Sequence, residues 1–383
     1  MYTHSFVMLN SSFNSSSSSG EQVISREATI FYCLIMGLIL TTAVFGNCLV
    51  LLAVKRTKSL RNTAAILVVN LACVDLAVTI CIVPFVITTA SAQGWVLSDK
   101  LCRVTGFFNS FLTAAQIMAL LHISVNRFVA VTYPHSYDTK LSKKITLMMV
   151  IAGWIHSMFW CLMPFYGWGA IGFINGTLFC NILWSQQISF AATVQVMCYF
   201  IPCIIAGVLY LGVYINIHKH IKKERTRSTM SLGETNIAAA VTRSGDTIRN
   251  SIHGSLEDVE EARASREAAR AAKLKRKRQR TMENRVTKTL LGVAVAFAVC
   301  WFPRGIANLW ALSVDRQNVP LALEYASTAF VFLNSSVNPA IYGALNRDFY
   351  RAFVGILSCD RRIGRNRSDT EISAGSISLA RKI

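Results

Sequence analysis

The sequence predicts an all-α membrane protein: a bundle of seven transmembrane helices followed by a short amphipathic helix. Of its 383 residues, 53% are apolar and only 15% are charged. The apolar residues gather in seven stretches of about 20 or more, the length that crosses the ~30 Å hydrocarbon core of a bilayer. Helices are favoured because the alternating ten-residue pattern of a membrane barrel is not seen. These long stretches exclude a soluble multidomain enzyme and a disordered basic protein.

The predicted transmembrane helices follow one another within residues 29–345. Their spans are 29–54, 63–89, 104–131, 145–168, 188–217, 289–312 and 321–345. Residues 1–28 lack the apolar core of a cleaved signal peptide, so helix 1 is predicted to act as the insertion signal. The polar loop 218–288 is predicted to be largely disordered. Its Ala-, Glu- and Lys-rich part from Leu256 to Arg285 nevertheless favours an extension of helix 6.

The chain after helix 7 predicts a short helix in the membrane interface. Within residues 346–357, four apolar residues recur at helical spacing between charged ones: Phe349, Phe353, Ile356 and Leu357. This pattern makes membrane lipid an expected partner. Cys359 lies just beyond this helix and is a candidate for lipidation, and residues 358–383 form a polar tail.

The basic residues indicate how the chain crosses the membrane. Of the 39 Lys and Arg residues, 34 fall in the tail and in the loops after helices 1, 3 and 5, which places these segments in the cytoplasm. The protein is therefore predicted to be a multi-pass plasma membrane protein with an extracellular N-terminus. N-x-S/T triplets on that side predict glycosylation at Asn10, Asn14 and Asn175. The net charge of +19 thus reflects topology, and no nucleic acid partner is expected.

Most of the 11 cysteines lie inside the apolar stretches, where a thiol behaves as a small hydrophobic group. Cys102 and Cys180 instead fall on the extracellular, oxidising side. A disulfide between them would tether the loop after helix 4 to the start of helix 3. The alternative is two unrelated thiols.

Each predicted helix carries a short motif. In chain order these are Gly46-Asn47-x-Leu49-Val50, Leu71-Ala72-x-x-Asp75, Asn126-Arg127-Phe128, Trp154, Pro202 with Tyr210, Phe297 with Cys300-Trp301-Phe302-Pro303, and Asn338-Pro339-x-x-Tyr342. Together they resemble the class A, or rhodopsin-like, G-protein-coupled receptors, and they favour the disulfide. The triplet at Asn126 is also similar to melatonin receptors. Those have N-A-x-x-Y where this chain has Asn338-Pro339-x-x-Tyr342, so the subfamily stays unassigned.

The resemblance implies a receptor that binds an extracellular ligand and activates a heterotrimeric G protein through outward movement of helix 6. Arrestin and a receptor kinase are further implied partners. Arg127 resembles the residue that reaches the G protein, but its usual acidic neighbour is Asn126 here, which leaves Glu283 as the expected resting partner. The other residues implied in activation are Tyr210, Asn338, Pro339, Tyr342 and the packing triad Ile117, Pro202 and Phe297.

Asp75 is the only ionisable residue inside helix 2, and a buried carboxylate needs partners. The resemblance supplies Asn47, Asn334, Ser335 and Asn338 as partners and implies a sodium ion in this cluster. The usual helix 3 serine is replaced by the bulkier Gln116. Two arrangements stay open: a sodium site and a polar cluster without an ion. No other cofactor is expected.

Residues expected in the outer half of the bundle exclude two classes of ligand, monoamines and retinal. Monoamine receptors resemble one another in a helix 3 aspartate, and Asn109 stands at that place, so the ligand is predicted to be non-aminergic. Helix 7 has no lysine for a retinal Schiff base, and Phe332 stands near the expected place. The predicted pocket residues are Asn109, Trp301, Arg304, Asn308 and Glu324. Arg304 is expected to pair with Glu324 or with an anionic group of the ligand.

Other classes fit less well. The G-x-G-x-x-G match at residues 167–172 has no strand before it, so no nucleotide-binding enzyme is predicted. A transporter or channel is the alternative outside the family, but the repeats or charged rings typical of these proteins are not seen. Within the family, the alternatives are a peptide receptor and a melatonin-like receptor.

Overall fold

The computed structural model describes residues 24–183, 186–219, 256–313 and 319–358. The predicted sites at Asn10, Asn14 and Cys359 lie outside these residues. Glu283 lies on a described helix, but its side chain is outside the described part of the structure.

The described chain is almost entirely helical. Its elements are α1 (Arg26–Arg56), α2 (Thr63–Ala92), α3 (Asp99–Thr132), α4 (Lys143–Leu162), α5 (Ile188–Lys219), α6 (Leu256–Ser313), α7 (Leu321–Leu345) and α8 (Arg347–Leu357). The first seven confirm the predicted bundle. Neighbouring helices pack in the order α6, α7, α1, α2, α3, α4.

Helices α1, α3 and α4 begin before the apolar stretches that predicted them, because a polar side chain caps each start. Ser25, Ser98 and Ser142 each accept a hydrogen bond from the backbone N–H three residues on. Asn62 caps α2 and Asn346 caps α8 in the same way. These caps set the helix starts that hydropathy alone misplaces by two to five residues.

Prolines account for the irregular helices. Helix α2 is interrupted at Ile82, just before Pro84, and α4 ends at Leu162, where a 3₁₀ turn containing Pro164 begins. The predicted fourth span was therefore too long at its end. Helix α5 contains a π-helical turn, Gln195–Phe200, shortly before Pro202, which has no N–H to donate. This turn changes which α5 side chains face the outer cavity.

Helix α6 has 58 residues and starts at Leu256, as the composition of that stretch favoured. The prediction of a largely disordered loop up to residue 288 was therefore too broad. Ala, Glu, Lys and Arg are strong helix formers, so the chain stays helical after it leaves the apolar region. Residues 220–255 lie outside the described part.

Six described helices are long and apolar enough to cross a membrane. The exception among the seven, α7, is more polar because it supplies Asn334, Ser335 and Asn338 to the interior of the bundle. Large apolar side chains on α1, α4 and α5 point outward, among them Phe31, Ile155 and Val208, each more than 60% exposed. Such a surface suits lipid. Phe349 of α8 is buried and stacks on Tyr342, which joins α8 to the bundle.

The loop between α4 and α5 forms a two-stranded antiparallel hairpin, β1 (Ile171–Gly172) and β2 (Asn181–Ile182), on the outer end of α3. Cys102 and Cys180 are disulfide-bonded, which confirms that prediction. The hairpin lies so close to α3 that a Cβ on Gly106 would clash with the Ile171 side chain. The disulfide and this close approach hold the hairpin over the bundle.

We expect the double variant Cys102→Ser, Cys180→Ser to lower the free energy of unfolding by about 2 to 4 kcal/mol, because the cross-link restricts the unfolded chain over a long loop. Thermal unfolding of purified protein measures this. The matched control is Cys48→Ser together with Cys203→Ser, two exposed free cysteines. An equal loss in both double variants would show that the disulfide contributes nothing specific.

Candidate functional site

An outer cavity of about 220 Å³ opens beneath the hairpin, between α3, α5, α6 and α7. All five predicted pocket residues line it: Asn109, Trp301, Arg304, Asn308 and Glu324. Sequence reasoning missed the polar residues from the hairpin and α5 that complete the wall, namely Thr177, Asn181, Gln195 and Tyr199. The only signal for the hairpin residues was their closeness to Cys180. The cavity combines apolar walls with several amide side chains.

Arg304 and Glu324 form a buried ion pair at one side of this cavity. Arg304 Nη1 donates to Oε1 and Oε2 of Glu324 at 2.8 and 2.9 Å, and its Nη2 donates to Thr328. The guanidinium lies over the ring of Phe179, 5.4 Å from its centroid. Arg304 is 6% exposed and Glu324 1%. Of the two pairings left open by the sequence, the internal one is present in the structure.

Glu324 is the only carboxylate among the described residues that line the cavity, and Arg304 neutralises it. Asn109, in the place discussed for monoamine receptors, is buried at 9% exposure and carries no charge. Asn181 is held in place because its Oδ1 accepts from Ser110 Oγ at 3.0 Å and from the Ile182 N–H. The cavity therefore offers amide and hydroxyl groups without net charge.

Trp301 lies at the floor of the cavity and stacks on Phe297 with ring centroids 5.5 Å apart. Ile117 of α3 and Pro202 of α5 are both buried within the bundle. The indole N–H of Trp301 has no hydrogen-bond partner among the described residues. This column of aromatic rings connects the outer cavity to the middle of α6.

The middle of the bundle holds a polar cluster around Asp75, which is fully buried. Its Oδ1 accepts from Gln116 Nε2 at 2.7 Å and from Ser335 Oγ at 3.1 Å, and its Oδ2 accepts from Asn338 Nδ2 at 2.9 Å. Asn47 belongs to the same region, but its Nδ2 donates to the carbonyls of Ala43 and Ser335. The cluster thus joins α2, α3 and α7.

Asn47 instead supplies a backbone hydrogen bond that α7 lacks. Pro339 has no N–H, so the carbonyl of Ser335 four residues earlier lacks its helical donor. Asn47 Nδ2 donates to that carbonyl at 2.9 Å. A Cβ on Gly46 would meet Pro339 Cγ at 2.8 Å, so glycine lets α1 approach α7 this closely.

Arg127 is buried near the cytoplasmic end of α3, 3% exposed. Its guanidinium donates to Asn126 Oδ1 through Nε and Nη2, and Asn126 Nδ2 donates to Tyr137 Oη at 2.9 Å. The expectation that Glu283 alone remained as a resting partner was therefore incomplete, because a neutral amide can also accept from a guanidinium. Restraint by Glu283 stays a prediction.

Two contacts join α5 to its neighbours at the same end. Tyr210 Oη donates to the carbonyl of Leu290 on α6 at 3.2 Å, and Asn216 Nδ2 donates to Thr132 Oγ1 of α3 at 3.0 Å. Tyr342 of α7 is buried, and its hydroxyl has no partner among the described residues. The implied activation residues therefore lie on the facing sides of α3, α5, α6 and α7.

Asn175 is exposed in the hairpin between its two strands, as a glycosylated side chain would need to be. Glycosylation there stays a prediction.

Comparison with known proteins shows which family this chain resembles. The family model for the 7 transmembrane receptor (rhodopsin family) matches residues 46–342. The octopamine receptor beta-2R of Chilo suppressalis is 27% identical over 352 residues, which cover 91% of this chain and 85% of that receptor. The 5-hydroxytryptamine receptor 7 of Xenopus laevis is 27% identical over 358 residues, covering 91% and 80%. Squid rhodopsin, 20% identical, shares the fold with a TM-score of 0.66 over 91% of each chain. Since the family model matches most of the chain, this protein belongs to the rhodopsin family of seven-transmembrane receptors.

Proposed function

We propose that this receptor binds a non-aminergic ligand in its outer cavity and activates a heterotrimeric G protein by outward movement of α6. The observation that carries the ligand class is the neutralisation of Glu324 by Arg304. A cationic amine bound beside the cavity's single described carboxylate would have to compete with a guanidinium that already makes two hydrogen bonds to it.

The names of the relatives argue the other way. Octopamine and 5-hydroxytryptamine receptors are, by name, receptors for amines. At about 27% identity, however, the residues that face the ligand are free to differ. Asn109 is one such difference. It stands where monoamine receptors resemble one another in having an aspartate, and an amide cannot neutralise an ammonium group.

The cytoplasmic end supports G-protein coupling. Asn216 of α5 donates to Thr132 of α3, and Tyr210 of α5 donates to the Leu290 carbonyl of α6, so a displacement of α6 would break the Tyr210 bond. We propose further that the chain resides in the plasma membrane with its N-terminus outside. Arrestin, a receptor kinase and membrane lipid are proposed as additional partners, with Cys359 as a lipidation site.

A matched ligand series tests the ligand class. We expect octopamine and 5-hydroxytryptamine to leave guanine-nucleotide exchange in receptor membranes at its basal level. Two analogues of 5-hydroxytryptamine complete the series. N-acetyl-5-hydroxytryptamine keeps the indole ring and lacks the ammonium group, and 5-hydroxyindole-3-acetic acid carries a carboxylate in place of the ammonium group. Exchange stimulated by either amine at micromolar concentration would contradict the proposal. The control is membranes that carry Arg347→Ala, an exposed residue of α8 far from the cavity.

A further inference from the structure

The polar cluster at Asp75 does not fit the sodium ion that the resemblance implies. A hard cation needs oxygen ligands with free lone pairs. Here Oδ1 of Asp75 already accepts two hydrogen bonds, from Gln116 and Ser335, and Oδ2 accepts one, from Asn338. Among the described residues, no group of three or more His, Cys, Asp or Glu side chains is arranged to hold a metal ion.

The group nearest to the carboxylate is the amide nitrogen of Gln116, 2.7 Å from Asp75 Oδ1 and 3.3 Å from Ser335 Oγ. The Gln116 nitrogen faces the carboxylate and acts as a donor, as the Ser335 hydroxyl and the Asn338 amide nitrogen do. The N–H₂ end of Gln116 therefore carries its partial positive charge to the place where a cation would lie. Gln116 is 3% exposed and Asp75 is fully buried, so water does not compete freely there.

From these contacts we infer that the Gln116 amide substitutes for the sodium ion and bridges α2, α3 and α7 by itself. The resting receptor is then insensitive to sodium. This inference goes beyond the proposed function, since it holds whichever ligand binds in the outer cavity.

The size of the side chain supports the same conclusion. A serine at position 116 would offer a hydroxyl oxygen and leave room for an ion. Gln116 instead fills that room with one extra methylene and its amide group, and its N–H₂ group donates to Asp75 and Ser335. A sodium ion could enter only if the amide turned its oxygen inward and gave up both bonds.

Thermal unfolding of the purified full-length receptor tests this without any agonist. The unfolding midpoint is compared in sodium chloride and in N-methyl-D-glucamine chloride at equal ionic strength. We expect the wild-type midpoint to be the same in both salts. Gln116→Ser should unfold at a lower temperature without sodium and gain about 2 to 4 °C when sodium is added. Adding Asp75→Asn to Gln116→Ser should remove that gain.

The control variant is Gln116→Met, which keeps the bulk and removes both hydrogen bonds. It should be destabilised equally in both salts. A wild-type midpoint that rises with sodium, and no longer does so in Asp75→Asn, would overturn the inference even if no Gln116 variant folds. A folded Gln116→Ser variant without any response to sodium would overturn it as well.

Discussion

The variant Glu324→Ala is expected to lose about 3 to 5 kcal/mol of unfolding free energy and most of its surface expression. Removal of one partner leaves the Arg304 guanidinium buried at 6% exposure without a counter-charge. Arg304→Ala should cost a similar amount, since it leaves Glu324 unneutralised. The measurements are the thermal unfolding of purified protein and the surface level of an epitope-tagged receptor in cells.

The matched control replaces both charges at once, as Arg304→Met with Glu324→Leu. Because this double variant removes the charges together and keeps similar volumes, we expect it to recover much of the stability lost by either single variant. A different result would assign Arg304 to the ligand. If Arg304→Ala reaches the surface normally but no longer responds to an agonist, while Glu324→Ala changes neither property, then Arg304 serves a ligand anion and the pair is not structural.

The second large effect is expected at the cytoplasmic end. Arg127→Ala should lower guanine-nucleotide exchange at least about tenfold at equal surface expression. The loss of a charged contact at a protein interface typically costs 2 kcal/mol or more. Exchange on purified G protein with reconstituted receptor measures the effect, and ligand-free exchange serves if no agonist is available.

Asn126→Asp is the informative companion to that variant. A carboxylate in place of the amide strengthens the bond that Arg127 already makes to position 126, so ligand-free exchange should fall while surface expression is kept. The exposed Arg351→Ala on α8 controls for the loss of a cytoplasmic charge. Unchanged exchange in Arg127→Ala would remove Arg127 from the coupling site and with it the basis for this expectation.

The sequence predicted the helices well and their ends less well. Seven long apolar stretches are a strong signal, because lipid leaves the backbone few alternatives. The ends depended on side chains that hydropathy does not register, such as the Ser98 cap of α3 and Pro164 after α4. The hairpin β1–β2 was missed altogether, because each strand has only two residues.

For the candidate site, too, the sequence predicted some features and missed others. Asn109, Arg304 and Glu324 were predicted from position in the chain, and in the structure all three line the same cavity. The role of Asn126 as a hydrogen-bond acceptor was missed, since a search for charge partners overlooks neutral amides. Asn47 was expected to be a partner of Asp75, but its Nδ2 donates to the carbonyl of Ala43 and to the Ser335 carbonyl that Pro339 leaves without a donor.

By itself, the sequence determined the seven-helix class and the family and predicted the orientation in the membrane, because apolar length, the placement of Lys and Arg, and one motif per helix are local properties. Only the tertiary structure decided which partners those residues have. Asp75 and Asn338 are 263 residues apart, and Arg304 meets Glu324 and Phe179 from three separate segments. Buried polar groups take whichever donors packing brings within about 3 Å, and that choice is made between helices.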